Sequence, residues 1–132
     1  MKEPIWLTRQ MVETIHFDQI QQHGGSLGIR TEYVLESALA RPQSKWAYEE
    51  STDVALLAAA YGFGIAQGHA FVDGNKRVAF MALYTFLGLN GYDLEAPEAE
   101  VVSVMLDVSR GVLDELGLAD WIRLRMTKLG VE

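Results

Sequence analysis

The chain has 132 residues, a formal net charge of −7 at neutral pH and no cysteine. These totals predict one domain over residues 1–132 and exclude a disulfide framework and a thiolate metal site. Because the net charge is negative, we expect no nucleic-acid partner. The longest apolar run, about twelve residues, is below the roughly 18 that a membrane span needs, and no secretion signal opens the chain. We therefore expect a cytoplasmic protein without a membrane partner.

Hydrophobic spacing and helix start and stop signals predict a mostly helical chain. These signals occur in residues 9–23, 32–40, 52–67, 75–89, 97–111 and 114–128. The last two segments together form one or two helices. Thr8, Thr31 and Thr52 can cap the first three. The fourth is apolar on nearly every face from Val78 onward, which is typical of a helix at the centre of a bundle.

Two segments lack the helical pattern. Residues 42–50 have no helical period, and Pro42 ends the helix before them because a proline restricts the residue that precedes it. They predict an extended flap or hairpin, which could expose Trp46 to a partner. A weak strand signal covers residues 92–95. The fold class predicted is therefore an all-α helical bundle with a central buried helix and a short extended flap.

The residues suited to chemistry are concentrated in residues 69–77, which read His-Ala-Phe-Val-Asp-Gly-Asn-Lys-Arg. Lys76 and Arg77 lie at the start of the fourth helix, where the helix dipole disfavours a cation by roughly 0.3–1 kcal/mol. A bound anion would compensate, and phosphate is commonly held at a helix N-terminus. The segment therefore predicts a phosphate site.

Each side chain in this segment has a role in such a site. Histidine changes charge near neutral pH, so His69 can act as a general base. Asp73 is a hard oxygen ligand suited to Mg²⁺. Gly74 lets backbone amides turn toward an anion. Asn75 supplies an amide donor, Lys76 a point charge and Arg77 a two-pronged guanidinium for phosphate oxygens.

Together these residues predict phosphoryl or nucleotidyl transfer, with Phe71 pointing inward to fix the loop. Each alone also fits a structural role, as a buried histidine, a capped turn or solvated cations. Glu13 and His16 have the spacing of a metal-binding helix, but that site needs a second copy, which the sequence lacks. Arg9 and His16 lie two helical turns apart, as in some ribonucleases, although a basic groove is missing.

Residues 69–77 resemble the motif of the Fic/Doc family, His-x-Phe-x-(Asp/Glu)-(Gly/Ala)-Asn-x-Arg, at every defined position. Segments within residues 24–42 and at 86–92 are similar to parts of the death-on-curing (Doc-type) toxins. The resemblance covers about residues 6–125. It implies a Fic fold with a central motif helix, in which the 42–50 region is the flap that aligns a segment of the target protein.

The resemblance implies that His69 deprotonates a substrate hydroxyl, that Asp73 holds Mg²⁺ and that residues 74–77 bind the phosphates of ATP. Members that transfer AMP carry a glycine and a second arginine where this chain has Lys76 and Phe80. Doc-type members share the lysine and are understood to transfer the γ-phosphate of ATP to a translation elongation factor. The resemblance therefore implies a toxin kinase that blocks translation by modifying a Thr or Ser hydroxyl of elongation factor Tu.

Two alternatives stay open. One is transfer of AMP, since Gly74 replaces the alanine of Doc itself and follows the general family. The other is a catalytically inactive module that only binds a partner. The inhibitory helix of many Fic proteins, Ser/Thr-x-x-x-Glu-Gly/Asn, has no match in this sequence. We therefore expect restraint in trans, from an antitoxin protein whose C-terminal segment folds on binding.

Overall fold

The computed structural model describes residues 1–130, which form six helices and one two-stranded antiparallel sheet. The elements in chain order are α1 (Arg9–His23), α2 (Glu32–Tyr48), α3 (Val54–Gly68), α4 (Asn75–Leu89), β1 (Tyr92–Leu94), α5 (Glu98–Ser109), α6 (Glu115–Arg125) and β2 (Met126–Lys128). The prediction of an all-α, Fic-like fold is confirmed. None of the helices within the described residues is both long enough and apolar enough to cross a membrane.

Three helices begin at a side chain that accepts a hydrogen bond from the backbone N–H three residues further on. These N-caps are Thr8 in α1, Asp53 in α3 and Asp114 in α6. Asp53, and not Thr52 as predicted, therefore starts α3. Helix α6 ends at Arg125, earlier than predicted, because the next three residues pair with β1. The weak strand signal at residues 92–95 is confirmed by β1.

Helix α3 is the most deeply buried element, with ten of its fifteen residues buried. Its small residues allow close packing, since a Cβ added at Gly62 would lie 2.6 Å from Leu83 Cδ2 of α4 and 3.2 Å from Leu118 Cδ2 of α6. Helix α4 packs beside α3 and buries one face, while Lys76 and Tyr84 stay exposed. The motif helix therefore lies at the core, with its first turn and one edge open.

The prediction of an extended flap at residues 42–50 is wrong, because α2 continues to Tyr48. Pro42 lies inside this helix and is buried. A proline removes one helical hydrogen bond and crowds the preceding turn, but it does not end the helix here. Only residues 49–53 separate α2 from α3.

Tertiary contacts explain why α2 continues past its proline. Trp46 is half-buried against the core, whereas the predicted flap could have exposed it to a partner. Glu115 of α6 is only 9% exposed and pairs with Arg41 and Lys45 of α2. Burial lowers the pKa of Lys45, but hydrogen bonds to Glu49 and Glu115 outweigh it, so the pKa is raised. These distant partners stabilise turns that the local sequence does not favour.

Candidate active site

Residues 69–74, here called the motif loop, connect the end of α3 to the start of α4. His69 is the C-cap of α3 and has left-handed backbone angles, φ 52° and ψ 45°. It is the one non-glycine with positive φ among residues 1–130. Such a conformation is strained for an L residue and is concentrated at functional sites. Its imidazole is half-buried, so it is not sealed inside the core.

An extended segment, residues 28–31, holds the motif loop from one side. The carbonyl of Ala70 accepts two backbone hydrogen bonds from this segment, at 2.7 and 3.1 Å, and the N–H of Val72 donates a third at 3.0 Å. Phe71 and Ile29 form an isolated antiparallel bridge between the two. The loop is therefore held in place by a segment that lies about forty residues earlier in the sequence.

Side chains hold the loop from within. The carboxamide of Asn75 accepts from the N–H of Phe71 and donates to its carbonyl, both at 3.0 Å. Phe71 is 1% exposed and stacks on the ring of His16 of α1, with 4.0 Å between centroids. Phe71 thus points inward as predicted. Asn75, predicted as a phosphate donor, uses its side chain to shape the loop, which leaves its backbone N–H for a ligand.

The carboxylate of Asp73 lies in a close-fitting turn. Its Oδ1 accepts from the N–H of Gly74 at 2.9 Å, and its Oδ2 accepts from the N–H of Ser26 at 3.3 Å. A Cβ added at Gly25 would lie only 2.6 Å from Asp73 Oδ2. Asp73 is exposed, and an ionised carboxylate has about four lone-pair sites, so it can still accept a cation.

Asp73 suits Mg²⁺ better than a metal that needs an all-protein cage. The described residues contain no group of three or more His, Asp or Glu able to hold a metal. Mg²⁺ typically binds one or two carboxylates, several waters and the phosphates of a substrate. A single exposed carboxylate beside the predicted phosphate site therefore fits this ion.

No side chain among residues 1–130 caps the N-terminus of α4. Gly74 occupies the N-cap in a left-handed conformation, and the first turn contains no acidic residue. The first N–H groups of a helix have no partner within the helix. Arg77 donates from Nη2 to the carbonyl of Gly24 at 3.3 Å, but its Nε is buried without a partner among the described residues. An unpaired buried donor is costly, so this arrangement would be favoured by an anion bound at the helix start.

A cavity of about 570 Å³ adjoins these cations. Lys76 and Arg77 line it together with mainly apolar side chains, among them Phe80, Met81, Tyr84 and Met105. This volume is in the range of small-molecule sites, which are mostly apolar with a few polar groups. Phe80 occupies the place at which the AMP-transferring members carry their second arginine.

Residues 6–87 match the sequence model of the Fic/DOC family. The chain belongs to this family. It is 32% identical over 110 residues to "Protein kinase doc" of Escherichia phage P1, a match that covers 83% of this chain and 86% of that protein. It is 44% identical over 77 residues to "Toxin Doc" of Mycolicibacterium smegmatis, covering 55% and 57% of the two chains. Both relatives are named Doc, so the resemblance to Doc-type members is confirmed.

The two minor interpretations of α1 do not survive in this Fic/DOC protein. Glu13 is exposed and pairs with Arg9 at 3.4 Å, so it does not join a histidine at a metal. His16 is 4% exposed, and its Nε2 lies 2.9 Å from the carbonyl oxygen of Asp73. Sequence reasoning missed that His16 belongs to the site. The available signal was only its place on the inward face of α1.

Proposed function

We propose that this Fic/DOC protein is a Doc-type toxin, a kinase that transfers the γ-phosphate of ATP to a Thr or Ser hydroxyl of a protein. The observation that carries the proposal is the uncapped N-terminus of α4. Its open backbone donors, exposed Lys76 and the Nε of Arg77, which has no partner in the part of the chain that the structure describes, together fit a polyphosphate. The name of the phage relative, a protein kinase, supports phosphate as the transferred group.

His69 is proposed to accept the proton of the acceptor hydroxyl as that oxygen bonds to the γ-phosphorus. The bond between the γ-phosphorus and the bridging oxygen breaks, and ADP leaves. Lys76 and Arg77 oppose the negative charge, because this chemistry depends mainly on positioning and charge stabilisation. Asp73 would hold Mg²⁺, which when bound neutralises phosphate charge.

Two features of the cavity support ATP as the donor and phosphate as the transferred group. Its apolar lining suits a nucleobase beside a cationic phosphate site. Phe80 contributes a ring, 6.0 Å from that of Tyr84, and no charge where AMP transfer uses a guanidinium. The grip that would turn the α-phosphate toward the nucleophile is therefore missing from this position.

The target and the partner come from the family resemblance. We propose elongation factor Tu as the acceptor protein, with block of translation in the cytoplasm as the result. An antitoxin in trans is proposed as the restraint, which agrees with the name of the mycobacterial relative. The experiment therefore searches for the acceptor among all the proteins of the cell.

The test is incubation of the purified protein with a cell extract, MgCl₂ and ATP labelled at either the α or the γ position. We expect γ-label on one protein, a mass increase of about 80 Da on a Thr or Ser, and loss of both with His69→Ala. α-Label with an increase of about 329 Da would establish AMP transfer instead. No label, with toxicity that survives His69→Ala, would establish a binding module.

A further inference from the structure

We infer that His16 of α1 is a positioning residue, which orients the carboxylate of Asp73 through the backbone of the motif loop. The inference rests on the proposed function in one respect, the assignment of Asp73 as the metal ligand. His16 does not belong to the family motif, and it lies 57 positions from Asp73 in the sequence.

The hydrogen bond of His16 has a defined direction. Its Nε2 lies 2.9 Å from the backbone carbonyl oxygen of Asp73. A carbonyl oxygen can only accept, so Nε2 must carry the proton. The side chain is 4% exposed, and water therefore does not compete for this carbonyl.

The planarity of the peptide bond carries the effect to the carboxylate. In a trans peptide the C=O and the following N–H point in opposite directions. Fixing the carbonyl of Asp73 toward α1 therefore directs the N–H of Gly74 away from α1, and this N–H donates to Asp73 Oδ1 at 2.9 Å. Gly74, with φ 78°, has no side chain to restrict this peptide unit, so an outside contact must do so.

The ring of His16 also restrains the other end of the loop. It stacks on Phe71 with an interplanar angle of 19°, and Asn75 binds the backbone of Phe71. His16 thus contacts the loop at Phe71 and at Asp73, on both sides of Val72. Mutation of a residue that hydrogen-bonds to a metal ligand and orients it commonly lowers metal affinity or activity by about 10–100-fold.

Two substitutions separate positioning from simple core packing. His16→Leu removes the donor at similar volume, whereas His16→Gln keeps an N–H that can reach the same carbonyl. Val12→Ala is the matched control, because Val12 lies on the same helix, is fully buried in the core and has no hydrogen bond to the loop. It lowers stability without removing the donor.

The first readout does not require catalysis. In ¹⁵N NMR spectra we expect MgCl₂, added with the non-hydrolysable analogue AMP-PNP, to shift the amide signals of Gly74 and Ser26. In His16→Leu we expect about tenfold faster hydrogen exchange at these amides and a roughly tenfold higher MgCl₂ midpoint. His16→Gln and Val12→Ala should stay within about threefold of the wild type. Equal exchange and equal midpoints in His16→Leu would overturn the inference.

A second measurement needs only the wild type, should His16→Leu fail to fold. The ¹⁵N spectrum of the histidine side chains should show a protonated Nε2 at His16, and a bare Nε2 would overturn the inference. Label transfer by the wild type separates the two proposals. If His16→Leu changes the midpoint while the wild type transfers no label, only the proposed function fails. If the wild type transfers label and His16→Leu has the same MgCl₂ midpoint as the wild type, only the inference fails.

Discussion

Arg77 stands where a cation is disfavoured, at the positive end of the dipole of α4. Its Nε is buried without a partner among the described residues, which adds a desolvation cost. Both costs are offset when an anion lies at this helix start. Arg77 therefore lowers the stability of the protein when no anion is bound. This is expected of a residue that acts on a charged substrate.

For Arg77→Ala we expect kcat/KM for γ-phosphate transfer to fall by at least about 100-fold, or roughly 2.7 kcal/mol, because a phosphate contact is lost in the transition state. Steady-state kinetics with labelled ATP measure this. The control is Arg123→Ala, which removes an exposed arginine bound to Asp53 and Asp120. A rate for Arg77→Ala within about threefold of the wild type would contradict the assigned role.

At the scale of single elements, local signals predict a helix end correctly where residues next to that end stabilise it. Thr8 and Gly24 bound α1 at the predicted residues, and Asn75 and Asn90 do the same for α4. The end of α2 was missed because its stability comes from a distant element, through Glu115 of α6. A proline is a local stop signal, and it carries no information about such tertiary contacts.

The same distinction holds for the site. The order of residues in 69–77 predicts a base, a metal ligand and a phosphate clamp, because these residue types lie next to each other in sequence, and the three roles stay predictions. The segment 28–31 and His16 were not predicted as parts of the site, because each meets the motif loop only after folding. A short irregular segment and a lone histidine have no local pattern that indicates such a partner.

Asp53 joins α3 to α6, since it caps α3 and pairs with Arg123 at 2.9 Å. We expect Asp53→Ala to lower the free energy of unfolding by about 1 kcal/mol, the usual effect of a lost cap. Asp53→Asn can keep the oxygen that caps α3, but it loses the charge and the second oxygen that accepts from Arg123. Its effect should be smaller than about 1 kcal/mol, as for an exposed ion pair. Urea titrations of both variants check this. Equal losses would show that the charge matters more than the cap.

The pH dependence of this pair has a definite sign. Burial raises the pKa of Asp53, but hydrogen bonds from Arg123 and from the N–H of Leu56 outweigh it, so the pKa is lowered. The stabilisation is therefore present above the unfolded pKa and is lost as pH falls through the lower folded pKa. In urea titrations, the difference between wild type and Asp53→Asn should be largest at neutral pH and shrink as the pH falls below the ordinary Asp pKa of about 3.9. A difference that grows on acidification would contradict this.

On the scale of the whole molecule, packing around α3 limits what the core accepts. Gly62 lies where α3 meets α4 and α6, and an added Cβ would clash with Leu83 and approach Leu118. Gly88 of α4 has no atom within 4 Å of such a Cβ. The same substitution should therefore have opposite effects at the two positions.

We expect Gly88→Ala to stabilise the fold by about 0.5–1 kcal/mol, through better helix propensity alone. Gly62→Ala gains the same propensity but overpacks a closed core, which costs about 1–3 kcal/mol, so a net loss of roughly 1 kcal/mol should remain. Thermal and urea unfolding of both variants test the difference. Stabilisation by Gly62→Ala would mean that the α3–α4–α6 junction can relax.

The left-handed backbone conformation of His69 has a consequence for attempts to raise the thermal stability of this protein. Glycine adopts φ 52° freely, whereas alanine carries the steric penalty of a Cβ there. We expect His69→Gly to be more stable than His69→Ala by about 1 kcal/mol, with neither variant active. Calorimetry decides this, and a more stable His69→Ala would refute it. Selection for thermostability alone should therefore drive this position toward glycine and recover robust proteins that have lost their chemistry.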